Sequence, residues 1–190
     1  MLSIKLTRLQ KQIVLTVLML VVMVLVTWLT GLLGRMRFIT RSTGGAEEWA
    51  GIYVSLGDAV VYLLVLVLGG PWGALVAAVG AVIADLLLGA TERIIGSLIV
   101  NAGMAFFIAA FCRLCTDWRR CLAVAGVAEG IMLVGYFIFD LLIMREFSVA
   151  GLAFLVDLGQ GLVCGLLGAL LLKHVRPLRP DKLPDLRRPR

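Results

Sequence analysis

The chain has few ionisable residues for its length, and it lacks several of the patterns on which enzyme sites are built. Charged side chains make up 16% of its 190 residues, and the only histidine is His174, which follows the last apolar run. No Gly-rich stretch ends in the Lys and Ser/Thr of a P-loop, so the chain is not expected to hydrolyse ATP itself. No Ser or Cys lies beside a candidate base, and no two acids share a tight motif, which argues against an intramembrane hydrolase.

Cysteine is also scarce, and three of the four thiols cluster in one connection. Cys112, Cys115 and Cys121 lie close together, whereas Cys164 is far along the chain. The Cys-x2-Cys step resembles half of a zinc site, but no fourth ligand is nearby. We therefore expect reduced thiols near the cytosolic face, with no metal and no cofactor.

Apolar residues, in contrast, dominate the sequence. They make up 61% of it, and the mean hydropathy is +1.03. A helix needs about 20 apolar residues to cross roughly 30 Å of hydrocarbon, and open strands cannot satisfy their backbone groups there. The first run follows Lys5, Arg8 and Lys11 and shows no small-x-small cleavage site, so it is expected to be retained as a helix. The apolar runs fall at 13–33, 53–69, 72–90, 94–112, 122–143 and 149–173.

These runs predict an all-α integral membrane protein, a compact bundle of six transmembrane helices over residues 1–173 with a basic, Pro-rich tail at 174–190. The net charge of +6 comes from Lys and Arg between and after the runs, which indicates topology and not nucleic-acid binding. With six spans, thirteen basic residues fall on the side of both termini and five on the other, Arg93 among them. The positive-inside rule therefore places both termini in the cytoplasm.

Polar side chains within the runs are the candidate site. An ionisable group in a bilayer costs about 2.5–3.5 kcal/mol on insertion scales, so such groups usually face a cavity or a partner. Topology places most of these groups in the outer half of the bundle, and they include five acids with no buried base. Helical spacing puts Glu129, Tyr136 and Asp140 on one face of the fifth helix. The candidates are Asp58, Asp85, Asn101, Glu129, Tyr136, Asp140, Asp157 and Gln160.

Other interpretations stay open for parts of this set. Asp58 and Asp85 can instead cap helix ends or pair with Arg93 at the interface. The long connection from Gly34 to Gly51, which precedes Tyr53, can be a lid or a solvated connector. Small residues on the third, fifth and sixth helices predict close helix contacts, and one of these stripes can dock another membrane subunit. Those on the fifth and sixth helices are Gly126, Gly130, Gly161, Gly165 and Gly168.

From Leu56 onward the chain resembles the substrate-binding S components of energy-coupling factor (ECF) vitamin transporters, particularly the riboflavin-, pyridoxine- and hydroxymethylpyrimidine-type group. Three stretches carry the likeness, over about two thirds of the chain. They are Gly57-Asp58 with Leu68-Gly69-Gly70-Pro71-Trp72-Gly73-Ala74 and Ala84-Asp85-Leu86-Leu87-Leu88-Gly89; Met132-Leu133-Val134-Gly135-Tyr136-Phe137 with Asp140; and Asp157-Leu158-Gly159-Gln160.

The resemblance implies a multi-pass protein of the bacterial plasma membrane that captures a small vitamin or precursor near its outer face. Its partners would be a transmembrane coupling subunit (T) and two cytosolic ATPases. The implied ligand contacts are Asp157, Gln160, Asn101, Tyr136 and Glu129, with Trp49 and Tyr53 near a lid.

The chain also departs from similar proteins in three respects. Asn101 lies where they often have Lys, and Asp157 replaces their usual Asn, which makes the predicted cavity acidic and its ligand neutral or cationic. The first helix lacks their Ala-x-x-x-Ala docking stripe, so a coupling subunit would need other contacts. The alternatives are a small scaffold or assembly subunit of a cell-envelope complex, an intramembrane enzyme and a proton-coupled transporter.

Overall fold

The computed structural model describes the backbone of residues 8–43, 46–144 and 147–175, and the side chains of residues 10–34, 53–142, 147 and 150–175. Most of the predicted tail therefore lies outside the described residues. Single 3₁₀ turns, Thr91–Arg93 and Cys112–Leu114, stand before and after the fourth helix. The main elements are α1 (Arg8–Leu33), β1 (Gly34–Thr43), β2 (Ala46–Val54), α2 (Gly57–Leu68), α3 (Gly70–Leu88), α4 (Ile94–Phe111), α5 (Trp118–Met144) and α6 (Phe147–His174).

Within the described part of the chain, five helices are long and apolar enough to cross a membrane. The spans are Gln10–Leu33, Gly70–Leu88, Thr91–Leu114, Trp118–Leu142 and Ala150–His174. This confirms the prediction of a helical membrane protein. The remaining α-helix, α2, has 12 residues. Its length is therefore about 18 Å, well below the roughly 30 Å of a hydrocarbon core.

The other helices enclose α2. Eleven of its twelve residues are buried, and it packs against α1, α3, α4 and α6. The longer helices pack in the order α1, α3, α4, α5 and α6. A helix that is apolar on all sides belongs in the interior of a bundle, and the sequence of α2 has that character.

Small residues allow the helices to approach closely. A Cβ added at Gly73 of α3 would lie 3.0 Å from the Cα of Val65 in α2. A Cβ at Gly80 would lie 2.6 Å from the Cγ of Met23 in α1. Lipid chains are as apolar as the helices, so contacts of this kind, and not water exclusion, hold membrane helices together.

Two glycines make the tight turns that the sequence predicted on either side of α3. Gly69, with φ of 84°, is the only residue between α2 and α3. Gly89, with φ of 72°, ends α3 in the left-handed conformation and donates its N–H to the carbonyl of Leu86 over 3.2 Å. Glycine carries no Cβ and adopts these angles without strain.

The connection between α1 and α2 corrects the sequence prediction. A loop was expected, with a second helix from residue 53, but β1 and β2 pair antiparallel from Gly34↔Val54 to Thr43↔Ala46, and α2 begins only at Gly57. The pairing has one irregularity, between Ile39 and Arg41. In a hairpin each strand satisfies the backbone groups of the other.

Candidate functional site

Polar side chains from every helix gather at one end of the bundle, where α1, α3 and α5 end and α2, α4 and α6 begin. Thr30 of α1 accepts a hydrogen bond from the backbone N–H of Leu56 over 3.0 Å, which ties α1 to the short segment between β2 and α2. The Cβ of a residue at Gly57 would lie 2.5 Å from the Thr27 hydroxyl. The hairpin is thus connected directly to the start of the enclosed helix.

The segment from Tyr53 to Asp58 is held by side chains of α3 and α6. The Tyr53 hydroxyl donates a hydrogen bond to Asp85. Gln160 accepts from the Ser55 backbone N–H over 2.7 Å and donates through Nε2 to Asp58. Burial, and then the neighbouring Asp85 carboxylate, raise the pKa of Tyr53 well above its ordinary value of 10.0, so that the phenol keeps its proton.

A buried base is present, contrary to the sequence prediction. Arg93 was counted among the outer basic residues, but only 4% of it is exposed, and its guanidinium forms an ion pair with Asp140. It also lies over the ring of Tyr136, 5.6 Å from the centroid. The alternative interpretation, with Arg93 paired to Asp58 or Asp85 at the interface, is therefore wrong.

Asn101, Tyr136 and Ser97 form a second hydrogen-bonded group between α4 and α5. The Asn101 amide donates to the Ser97 carbonyl over 2.9 Å and to the Tyr136 hydroxyl over 3.1 Å. Tyr136 in turn donates to the Ser97 hydroxyl over 3.1 Å. All three residues are buried, so each side chain is fixed by the others.

These groups surround one cavity of about 20 Å³. A cavity needs about 10–15 Å³ to hold one water molecule, so this one has room for little more. Two polar atoms of its lining residues are buried without a hydrogen-bond partner among the described residues: Nε of Arg93 and Oδ2 of Asp157. The lining consists of Met23, Thr27, Tyr53, Ser55, Gly57, Asp58, Ala81, Arg93, Asn101, Tyr136, Asp157 and Gln160.

Most of the predicted site residues thus lie together. Tyr53, Asp58, Asn101, Asp157 and Gln160 line the cavity, as does Tyr136. Asp85 and Asp140 lie just behind it, bonded to Tyr53 and Arg93. The side chain of Trp49 lies outside the described residues, although its backbone belongs to β2, opposite Ile39.

Glu129 is not among the residues that line the cavity. It lies deeper in the bundle, where Tyr62 of α2 donates a hydrogen bond to its Oε1 over 2.9 Å. The same hydroxyl is 3.2 Å from the carbonyl oxygen of Ala125. Helical spacing put Glu129 and Tyr136 on one face correctly, but two turns along α5 separate them, and a different helix packs at each level.

Sequence reasoning missed six of the lining residues: Met23, Thr27, Ser55, Gly57, Ala81 and Arg93. Arg93 was assigned to a connection, and Met23 and Thr27 lie in a helix with a long apolar run. Only Arg93 offered a signal, because a lone Arg two residues after a tight turn is close enough to the bundle to fold back into it.

The cysteine cluster lies at the opposite end, around the turn between α4 and α5. All four cysteines are free thiols. Burial, and then the neighbouring Cys121, raise the pKa of Cys115 to about 12. Among the described residues no group of three or more His, Cys, Asp or Glu side chains is arranged to hold a metal ion.

Comparison with known families shows to which family the chain belongs. The family model of the ECF-type riboflavin transporter, S component, matches residues 10–177, from the start of α1 to just beyond α6. Comparisons with curated proteins and with solved structures gave no match. The chain therefore belongs to the family of ECF-type riboflavin transporter S components, which makes it a multi-pass membrane subunit of a vitamin transporter and not an enzyme.

Proposed function

We propose that the chain binds a small heteroaromatic vitamin or vitamin precursor in the cavity beside Asp157 and delivers it for ATP-driven uptake. The main observation that supports this proposal is that side chains from α1, α2, α4, α5 and α6 converge on one buried polar cavity. Small-molecule sites combine apolar and aromatic walls with a few aimed polar groups. Tyr53 and Tyr136 supply the aromatic surfaces, and the cavity supplies both donors and acceptors.

The chemistry of the cavity favours a neutral or cationic ligand over an anionic one. Arg93 supplies the one guanidinium among the described lining residues, and this group is already paired with Asp140, so it is not free to neutralise a phosphate. Asp157 presents a carboxylate oxygen without a partner among the described residues, and Arg93 presents such an N–H. A ligand that offers both a donor and an acceptor satisfies both groups. A purely anionic ligand is instead repelled by the carboxyl groups of Asp58 and Asp157. This supports a riboflavin, pyridoxine, hydroxymethylpyrimidine or thiamine-precursor type of compound.

Binding requires the cavity to widen, because pockets for ligands of this size measure roughly 300–1,000 Å³. The segment from Tyr53 to Leu56 is the part best placed to move. Side chains of other elements hold it through four hydrogen bonds: the segment donates to Asp85, Gln160 and Thr30, and the Ser55 carbonyl accepts from the Cys164 thiol over 3.6 Å. We infer that the hairpin is the lid of the site and that it swings away when these bonds break.

The orientation follows from the charges at the other end of the bundle. Lys173 donates a hydrogen bond to the Thr116 carbonyl over 3.0 Å, which places the end of α6 beside the basic turn between α4 and α5. The positive-inside rule assigns this end to the cytoplasm, so the end of the bundle that holds the cavity faces outward. With α2 as a short, enclosed helix that returns the chain toward this end, residues 1–173 form the binding domain, and both termini, including the tail at 174–190, are cytoplasmic.

Energy for uptake would come from partners, since the chain carries no P-loop. A transmembrane coupling subunit and two cytosolic ATPases are the partners that the family implies. In this arrangement the chain supplies ligand recognition alone.

Ligand titration of the purified protein tests the proposal. Riboflavin is the first probe, and its binding is measured through the quenching of its fluorescence. Pyridoxine, hydroxymethylpyrimidine and thiamine are then screened by thermal shift. Asp157→Ala should weaken binding of the active compound about tenfold or more, because it removes a buried hydrogen-bonding group from the cavity. Asp117→Ala is the matched control, since this acid is exposed at the opposite end. If no compound binds, or if both variants bind like the wild type, the cavity is not a vitamin site.

A further inference from the structure

One peptide group, between Ser55 and Leu56, is held from two sides by helices that are far apart in the sequence. Its N–H donates to Oγ1 of Thr30 in α1 over 3.0 Å, and its carbonyl oxygen accepts from the thiol of Cys164 in α6 over 3.6 Å. The two bonds are compatible because the N–H and C=O of a trans peptide point in opposite directions. The peptide therefore bridges α1 and α6 at the end of the bundle that holds the cavity.

The bridge lies where the two helices are otherwise separated. A groove of about 460 Å³ runs between α1 and α6, and residues of α2 form its floor. Leu56 lines this groove, so the bridging peptide lies at its outer end. Strand β2, which leads into the peptide, packs against the same two helices. The Ser55–Leu56 peptide is thus the point at which the hairpin is fastened to both sides of the bundle.

The two side chains that hold this peptide lie behind the cavity wall. Neither Thr30 nor Cys164 is among the described residues that line the cavity. The Thr30 hydroxyl donates to the carbonyl of Val26 in its own helix over 2.5 Å, which leaves an oxygen lone pair for the Leu56 N–H. Cys164 is fully buried and donates to Ser55. A change at either residue therefore acts on the hairpin segment and leaves the lining of the cavity as it is.

We propose that Thr30 and Cys164 are positioning residues that control entry to the cavity, because they hold the Ser55–Leu56 peptide in the closed position. This inference rests on the proposed function and names the groups that regulate its site. The closed cavity of about 20 Å³ cannot contain a vitamin, so the bound state must lack this arrangement. Each bond to the peptide then opposes binding, and the apparent affinity is the intrinsic affinity reduced to the fraction of molecules that are open.

The other bonds of the segment cannot separate opening from ligand contact. Gln160 and Tyr53 hold the segment closed, but both also line the cavity, so a change at either alters two properties at once. Thr30 and Cys164 affect opening alone. Loss of one of their bonds should raise the open fraction about threefold to tenfold, which corresponds to the net contribution of one hydrogen bond.

Alkylation of Cys164 tests the inference without a ligand. Ser55 covers this thiol, so N-ethylmaleimide should reach it slowly, when the segment moves away, in the full-length protein in detergent well below its unfolding midpoint. Peptide mass spectrometry measures the rate at each cysteine separately. Thr30→Val should raise the rate at Cys164 about threefold to tenfold. The rate at Cys121, which is equally buried at the opposite end and reports unfolding of the whole bundle, should not change.

Two further variants of α1 serve as controls. Thr30→Ser keeps the hydroxyl and should restore the wild-type rate at Cys164. Thr16→Val removes a hydroxyl whose bond lies within α1, to the carbonyl of Gln12 over 2.9 Å, and should have no effect. An unchanged rate at Cys164 in Thr30→Val overturns the inference. An equal rise at Cys121 also overturns it, because the variant is then destabilised as a whole.

Riboflavin titration tests the consequence for binding. Thr30→Val and Cys164→Ala should each bind riboflavin about threefold to tenfold more tightly and associate faster, although each has lost a bond that stabilises the closed protein. A purely structural role would lower affinity and stability together. Unchanged or weaker binding therefore overturns the inference and leaves the proposed function standing. If neither the wild type nor any variant binds riboflavin, pyridoxine, hydroxymethylpyrimidine or thiamine, the proposed function is overturned, and the control of entry with it.

Discussion

The ion pair between Arg93 and Asp140 can be dissected with three variants, because its two partners leave chemically different groups behind. Their side chains are 5% and 1% exposed, so neither can turn to water. Asp140→Val leaves a buried guanidinium, which cannot release its proton. We expect this variant to lose about 3–5 kcal/mol of unfolding free energy, the cost that follows removal of one partner from a buried pair.

The opposite change should be milder. Arg93→Met leaves a carboxyl group that can take up a proton and become neutral, so the expected loss is about 1–3 kcal/mol, the penalty of one unsatisfied buried group. The double variant Arg93→Met/Asp140→Val removes both charges and should return close to wild-type stability, because buried pairs replaced by apolar residues are often neutral in their effect.

A thiol-reactive dye provides the assay. Cys121 and Cys164 are fully buried, so they react only when the bundle opens on heating in detergent. At about 2–4 °C per kcal/mol for a chain of this size, Asp140→Val should lower the midpoint by about 6–20 °C. The reasoning is refuted if Arg93→Met is as unstable as Asp140→Val, or if the double variant shows the sum of the two losses.

Two further predictions concern the hairpin and the helix packing. The folded state holds the proton of Tyr53 more tightly than the unfolded state does, since its pKa is raised above the ordinary 10.0; stability should therefore fall as pH rises above about 10, and less steeply in Tyr53→Phe, as measured by unfolding midpoints from pH 8 to 11. An equal slope in both proteins would contradict this. A Cβ at Gly168 would lie 2.5 Å from the Tyr62 ring, so Gly168→Ala should cost about 1–3 kcal/mol in the same thiol assay, whereas Gly159→Ala, whose Cβ meets open space, should be neutral.

The helices could be predicted from the sequence because their signals are local. Apolar runs mark where a helix can lie in lipid, and Gly69 and Gly89 mark where it must turn. The hairpin was missed, although Arg35, Arg37 and Arg41 alternate with other residues and Gly44-Gly45 suits a two-residue turn. An alternation of three residues does not by itself distinguish a hairpin from a solvated connector.

The side-chain pairs of the site were less predictable, because they depend on how far each helix slides along its neighbours. Periodicity identifies a face of α5 but not which helix packs at each level, so it could not separate Glu129 from Tyr136. The charge count treated Arg93 as a residue of a connection. A single 3₁₀ turn, Thr91–Arg93, is enough to bring its guanidinium into the bundle beside Asp140.

The hydrogen bonds that close the cavity involve the same groups that a ligand would use. Gln160 bonds to Ser55 and Asp58, and Tyr53 bonds to Asp85, so a ligand that takes these partners replaces bonds and does not add them. Exchanges of this kind contribute little net affinity. The net gain must then come from two sources: the apolar surface that the ligand buries, and the two atoms that have no partner among the described residues, Nε of Arg93 and Oδ2 of Asp157. Selectivity should therefore depend on the ligand edge that reaches these two atoms, whereas the remaining contacts mainly decide how readily the hairpin opens.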